Sequence, residues 1–249
     1  MKQLFIATIS FCLLLSNPAM ADTIRAAVAS NFMAPMKEIV QSFEAQSEHK
    51  VLVSYGSSGK FYAQIQHGAP FDIFLSADSD KPLKLTEVNL ADDSGRFTYA
   101  IGRLVLMSSQ GGDAKQQLLD KQFKRLAIAN PRLAPYGAAA HSALTSMGLW
   151  ESAQPKLVMG ENIAQTYQFV SSGNAQLGFI AASQIIDDGT LPASAWLIPE
   201  SNHQTIAQDA VLLTRSTQKA AVDFLKFLRS DQAITIIQRY GYDTPSEQQ

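Results

Sequence analysis

The chain has 249 residues, 46% hydrophobic and 17% charged, with 20 Lys+Arg against 22 Asp+Glu, 14 Gly and one Cys. This composition supplies ample core and excludes a disordered, collagen-like or disulfide-stapled protein, and the length fits one large domain or two of about 100 to 130 residues. A net charge of −2 leaves no broad basic surface, so no nucleic-acid partner is expected.

Residues 1–21 stand apart from the rest. Lys2 gives a positive start, Leu4 to Leu15 is almost wholly apolar, and Asn17-Pro18 breaks the run before Ala19-Met20-Ala21. That order predicts a secretory signal peptide cleaved after Ala21. A membrane anchor is disfavoured, because the apolar run falls short of the ~20 residues a helix needs to span a bilayer. Cleavage also removes Cys12, the only cysteine, leaving no disulfide, thiolate metal site or Cys nucleophile.

After the signal, strands and helices alternate. Thr23 to Ala29 reads as a strand. Met33, Met36, Ile39, Val40 and Phe43 then recur at helical spacing, with Pro35 tolerated in a first turn. Val51 to Tyr55 and Phe71 to Leu75 are further strands, with a helix from Lys60 to His67 between them and another from Pro82. A tract around Gly95 to Gly102 interrupts the pattern. Leu104 to Ser108, Leu126 to Asn130, Lys156 to Met159, Leu177 to Ile180 and Ala210 to Thr214 are the remaining strand candidates. Helices are expected at Gly137 to Met147, Ala164 to Ser171, Thr217 to Leu228 and Asp231 to Tyr240. Repeated β-turn-α units imply α/β architecture with mostly parallel sheets, and their number implies two lobes.

Four strand-to-helix turns carry small polar residues: Ala29-Ser30-Asn31, Gly56-Ser57-Ser58-Gly59, Pro135-Tyr136-Gly137-Ala138 and Glu161-Asn162-Ile163-Ala164. Ligands of open α/β sheets sit at such turns, and a helix start offers unpaired N–H groups and partial positive charge to an anion. Ser30, Asn31, Ser57 and Ser58 add hydroxyl or amide donors. Each of them, taken singly, reads first as a helix cap.

Enzyme signatures are missing. Gly56-Ser57-Ser58-Gly59 is one residue short of G-x-S-x-G, and no dinucleotide or P-loop motif is present. His49, His67, His141 and His203 lack metal-ligand spacing, so no metal and no cofactor are expected. An exported hydrolase using Ser57 or Ser58 with His141 is the reading from another class, and it lacks both elbow and triad spacing.

Ala29-Ser30-Asn31-Phe32, Gly56-Ser57-Ser58-Gly59, Gly68-Ala69-Pro70-Phe71-Asp72-Ile73-Phe74-Leu75-Ser76-Ala77-Asp78, Asn130-Pro131, Ala134-Pro135-Tyr136-Gly137 and Leu177-Gly178-Phe179 together resemble the periplasmic molybdate-binding proteins of ABC transporters. The resemblance runs in order through the whole mature chain. It implies a type II periplasmic binding fold, two α/β lobes hinged by two crossover segments, with an oxyanion in the cleft. It maps oxyanion contacts to Ser30, to the N–H of Asn31, to Ser58, to Tyr136 in the Pro-Tyr-Gly turn and to Ala164. Many members carry a tyrosine donor in a G-[IV]-V-Y segment, which Gly178-Phe179-Ile180-Ala181 lacks; the resemblance is to the subgroup with Tyr136 instead.

The expected function is therefore a monomeric periplasmic protein that captures molybdate, and tungstate with it, for an inner-membrane ABC permease. Another oxyanion such as sulfate or phosphate is the alternative. The first lobe is expected to hold residues 22–100 and 205–249, the second 101–204. Crossovers near Tyr99 to Gly102 and His203 to Gln208 would serve as the hinge.

Overall fold

The structure is a computed structural model that describes residues 22–186 and 189–245; the expected export signal lies outside them. Two five-stranded sheets carry the fold. The first contains β1 (Thr23–Ala29), β2 (Lys50–Gly56), β3 (Ile73–Leu75), β4 (Phe97–Gly102) and, from the far end of the chain, β10 (Ile206–Leu212), in the order β2-β1-β3-β10-β4. The second contains β5 (Leu104–Ser108), β6 (Leu126–Ala129), β7 (Leu157–Gly160), β8 (Leu177–Ala181) and β9 (Ala195–Leu197), in the order β7-β6-β8-β5-β9. Strands β1, β2 and β3 run parallel, as do β6, β7 and β8, while β10 and β5 run antiparallel to their neighbours. The two halves thus repeat one design, an α/β fold of two lobes.

Helices flank each sheet. In the first lobe α1 (Met33–Glu44), α2 (Ser58–Gln66) and α3 (Asp80–Glu87) follow β1, β2 and β3. The second lobe holds α4 (Ala114–Leu119), α5 (Pro135–Ser146), the short α6 (Trp150–Ala153) and α7 (Ile163–Ser171). The chain ends in α8 (Lys219–Leu228) and α9 (Asp231–Arg239), whose Phe224, Leu228, Ile236 and Ile237 return to the core of the first lobe. α1 forms where expected because Met36, Ile39 and Phe43 make one apolar stripe, all buried against that core.

Four strands depart from the expectation. The tract at Gly95 to Gly102 is largely a strand, β4, which pairs with β10 more than a hundred residues later. The strand expected from Phe71 begins only at Ile73; just ahead of it the Asp72 carboxylate accepts the Arg25 N–H at 2.7 Å and the Ser216 hydroxyl at 2.9 Å. The last strand starts at Ile206, four residues before the expected Ala210. Three-residue β9 carries no legible alternation.

The chain crosses between sheets twice, at Arg103 between β4 and β5 and along residues 198–205 between β9 and β10. A third strand of chain lies beside them, where Asp243 pairs with Ile101 through two backbone bonds of 2.6 and 3.1 Å. Gly102 must be glycine here: a Cβ would collide with the Tyr136 hydroxyl and Gln208.

Phe32 anchors the turn that follows β1. It is fully buried and meets Tyr99 and Tyr242 edge-on at 4.8 and 5.5 Å between ring centroids. Phe32→Ala is expected to cost about 3–5 kcal/mol, read as a lower denaturant midpoint; an unchanged midpoint would contradict this anchoring.

Candidate functional site

Four helix starts meet between the lobes. The 3-10 turn Ser30–Phe32 ahead of α1, and α2, come from the first lobe; α5 and α7 come from the second. Each follows the carboxyl end of a parallel strand, β1, β2, β6 or β7. The alternation of strand and helix places them there, since every such strand ends on the same side of its sheet.

Ser30, Asn31, Ser57, Ser58 and Tyr136 surround one small cavity, completed by Ala29, Gly56, Ala77, Ala134, Pro135 and Ile163. All five polar members are at most 5% exposed. The cavity is small, about 10 Å³, at the lower limit for one water-sized occupant and too small for an extended solute. No ionisable acid or base lines it among the described residues; the only titratable wall is the Tyr136 phenol. No group of metal-ligating side chains occurs among them either.

What faces the cavity is donors. First-turn N–H groups have no acceptor within their own helix; Ser58 is the first residue of α2 and Tyr136 the second of α5. The Ser58 hydroxyl accepts the Ala77 N–H at 2.9 Å, which leaves its own hydrogen free to donate. The Ala164 N–H, in the first turn of α7, reaches the Ser30 hydroxyl across the cleft at 3.4 Å. Ala164 itself lines a wider groove between α1 and α7, and its neighbour Ile163 lines the cavity. The sum is partial positive charge from helix ends without a formal cation.

Glu161, the one formal charge in the four turns, points away. Its carboxylate is 65% exposed and pairs with Lys60 of α2 at 2.5 Å, joining the lobes at the surface. A closer seam lies at Gly59, whose N–H donates 2.8 Å to the Leu133 carbonyl of the other lobe. A Cβ at Gly59 would stand 2.8 Å from that oxygen and 3.0 Å from the Leu133 Cα, both backbone.

Tyr136 turns its hydroxyl away from the helix start into a buried network. Gln208 Nε2 donates to it at 3.3 Å, and Asn31 Nδ2 donates to Gln208 Oε1 at 2.8 Å and to the Tyr242 hydroxyl oxygen at 2.9 Å. The Asn31 carbonyl accepts from Tyr242 at 2.8 Å and from Ser183 of the second lobe at 3.0 Å. The side chain of Asn31 is therefore held within the first lobe by Gln208 and Tyr242, its carbonyl reaches Ser183 of the second lobe, and the cavity-facing role left to it is through its N–H. Sequence reading does not reach Gln208, Ser183 or Tyr242: Asn31 and Tyr242 are 211 positions apart and no local pattern joins them.

The hydrolase arrangement is not assembled. His141 sits edge-on to Trp150 at 4.2 Å and lines a different surface groove, and neither Ser57 nor Ser58 bonds a histidine. The Asp78 carboxylate is taken up by Ser76 and Lys81.

The chain belongs to the bacterial extracellular solute-binding proteins, whose family model matches residues 24–243. Within that class it is 47% identical over 234 residues to the molybdate-binding protein ModA of Azotobacter vinelandii, covering 92% of this chain and 93% of that one. It is 44% identical to ModA of Rhodobacter capsulatus, with 92% of each covered. The solved periplasmic molybdate-binding protein of A. vinelandii superposes with a TM-score of 0.86 at 37% identity, covering 90% of this chain and all of that one. These identities make the chain a member of the molybdate-binding protein family, whose members are binding proteins and not enzymes.

Two outcomes are expected from this geometry. Gly59→Ala should weaken ligand binding by about 1–3 kcal/mol, the usual cost of an overpacked methyl, with little change in unfolding of the ligand-free protein; calorimetry on the variant measures it. Burial raises the pKa of Tyr99, Tyr136 and Tyr242, in each case as the largest cause. The folded state therefore holds their protons where the unfolded chain releases them. Their contribution is intact below about pH 10 and falls as pH rises beyond it, by ~1.4 kcal/mol per unit for each phenol. Urea midpoints from pH 8 to 11 should be flat and then drop, and a flat profile throughout would contradict it.

Proposed function

We propose that this protein is exported, cleaved after Ala21, and captures molybdate in the cleft between its lobes for delivery to an inner-membrane ABC permease, acting as a monomer. One observation carries the reading: four helix starts converge on a small, buried cavity lined by three serines and by no ionised side chain among the described residues. The identity to molybdate-binding relatives supports it.

The protonation of the ligand fits these walls. A tetrahedral dianion such as molybdate carries no proton at neutral pH, so every oxygen accepts and none donates. A carboxylate in the wall would repel it, and none lines the cavity among the described residues; Glu161 is paired with Lys60 and Asp78 with Lys81. Phosphate keeps a proton at that pH and calls for such an acceptor. Tungstate shares molybdate's charge and shape and is expected to bind with it; sulfate is distinguished by size alone.

In this reading Ser30, Ser58 and the N–H groups of Asn31, Tyr136 and Ala164 hold the ion. The lobes, 22–100 with 205–249 and 101–204, open and close about the crossovers, with Gly59 and the Lys60–Glu161 pair meeting on closure.

Titration calorimetry with molybdate, tungstate, sulfate and phosphate tests the assignment. Tight binding of the first two is expected, and sulfate binding as tightly as molybdate would remove the specificity. Ser58→Ala should lose about 1.5–3 kcal/mol, one hydrogen bond to a charged partner.

A further inference from the structure

Two of the three serine hydroxyls at the cavity are already oriented by a backbone donor: Ser58 Oγ by the Ala77 N–H and Ser30 Oγ by the Ala164 N–H. The third, Ser57 Oγ, has no hydrogen-bond partner at all, although the residue is only 3% exposed and lines the same cavity. Its position makes this unusual. Ser57 is the N-cap of α2, with extended backbone at φ −82° and ψ 144°, where a serine ordinarily accepts an N–H from the first turn. Here it caps nothing, and the Gly59 N–H that would suit it is donated instead to Leu133 across the lobes.

Buried hydroxyls are paired unless something else is to pair them. We propose that Ser57 Oγ donates directly to the bound oxyanion, a contact additional to Ser30, Asn31, Ser58, Tyr136 and Ala164. The inference rests on the oxyanion reading above. An acceptor-only dianion needs just the one hydrogen that Ser57 has, and this hydroxyl, held by no neighbour, turns to follow an oxygen that the two fixed hydroxyls do not reach.

Calorimetric titration of the mature protein with molybdate tests this, with ligand-free thermal unfolding measured alongside. Ser57→Ala is expected to bind about ten- to a hundredfold more weakly, while its ligand-free midpoint does not fall, since no cap is lost. Ser57→Asp keeps a strong N-cap residue and should fold, yet it places a carboxylate against the dianion and should abolish binding. Wild-type affinity in Ser57→Ala, binding retained by Ser57→Asp, or a ligand-free midpoint of Ser57→Ala lowered enough to account for its loss would overturn the inference. A wild-type protein that binds none of molybdate, tungstate and sulfate would instead overturn the oxyanion reading, and this contact with it.

Discussion

The structure depends on bringing the backbone N–H groups of four helix starts to one buried point. Each start alone is an ordinary feature, its donors met by water or by a cap. Facing one another across a buried cavity, those donors lose water and gain strength from the lower dielectric around them. The lining holds no lysine or arginine among the described residues, so the attraction for an anion comes from peptide dipoles and hydroxyls. In the proposed reading such a site suits a dianion, since it offers donors and no carboxylate among the described lining residues.

That convergence follows from the doubled architecture. Parallel strands β1 and β2 in one lobe, and β6 and β7 in the other, all deliver their helices at the carboxyl ends, and the two ends face each other. Behind the cavity the lobes are tied by a polar network of Asn31, Tyr136, Ser183, Gln208 and Tyr242. Three of its members come from positions after residue 180, so the return of the chain to the first lobe completes the back of the site. Gly59 and Gly102 serve the same end by letting backbone or phenol approach where a methyl group would not fit.

Much of this was legible beforehand wherever the physics is local. Helical spacing in Met36, Ile39 and Phe43 placed α1, and small polar turns after apolar runs marked all four helix starts. Glu161, the charged residue of those turns, lies at the surface, paired with Lys60. Less legible were β4 and β9, whose residues are too mixed or too few to read as strands until β10 and β5 pair with them.

The sequence by itself determined the α/β alternation, the amphipathic helices and the identity of the turn residues, because periodicity and capping chemistry act over a few positions. Only the tertiary structure decided which donors remain free. Ser58 is oriented by Ala77, the Tyr136 hydroxyl is drawn to Gln208, and Ser57 is left unpaired, each through neighbours that folding brings from elsewhere. Hydrogen bonding is short-ranged in space and blind to sequence separation, so satisfaction of a polar group becomes known only when both lobes stand around it.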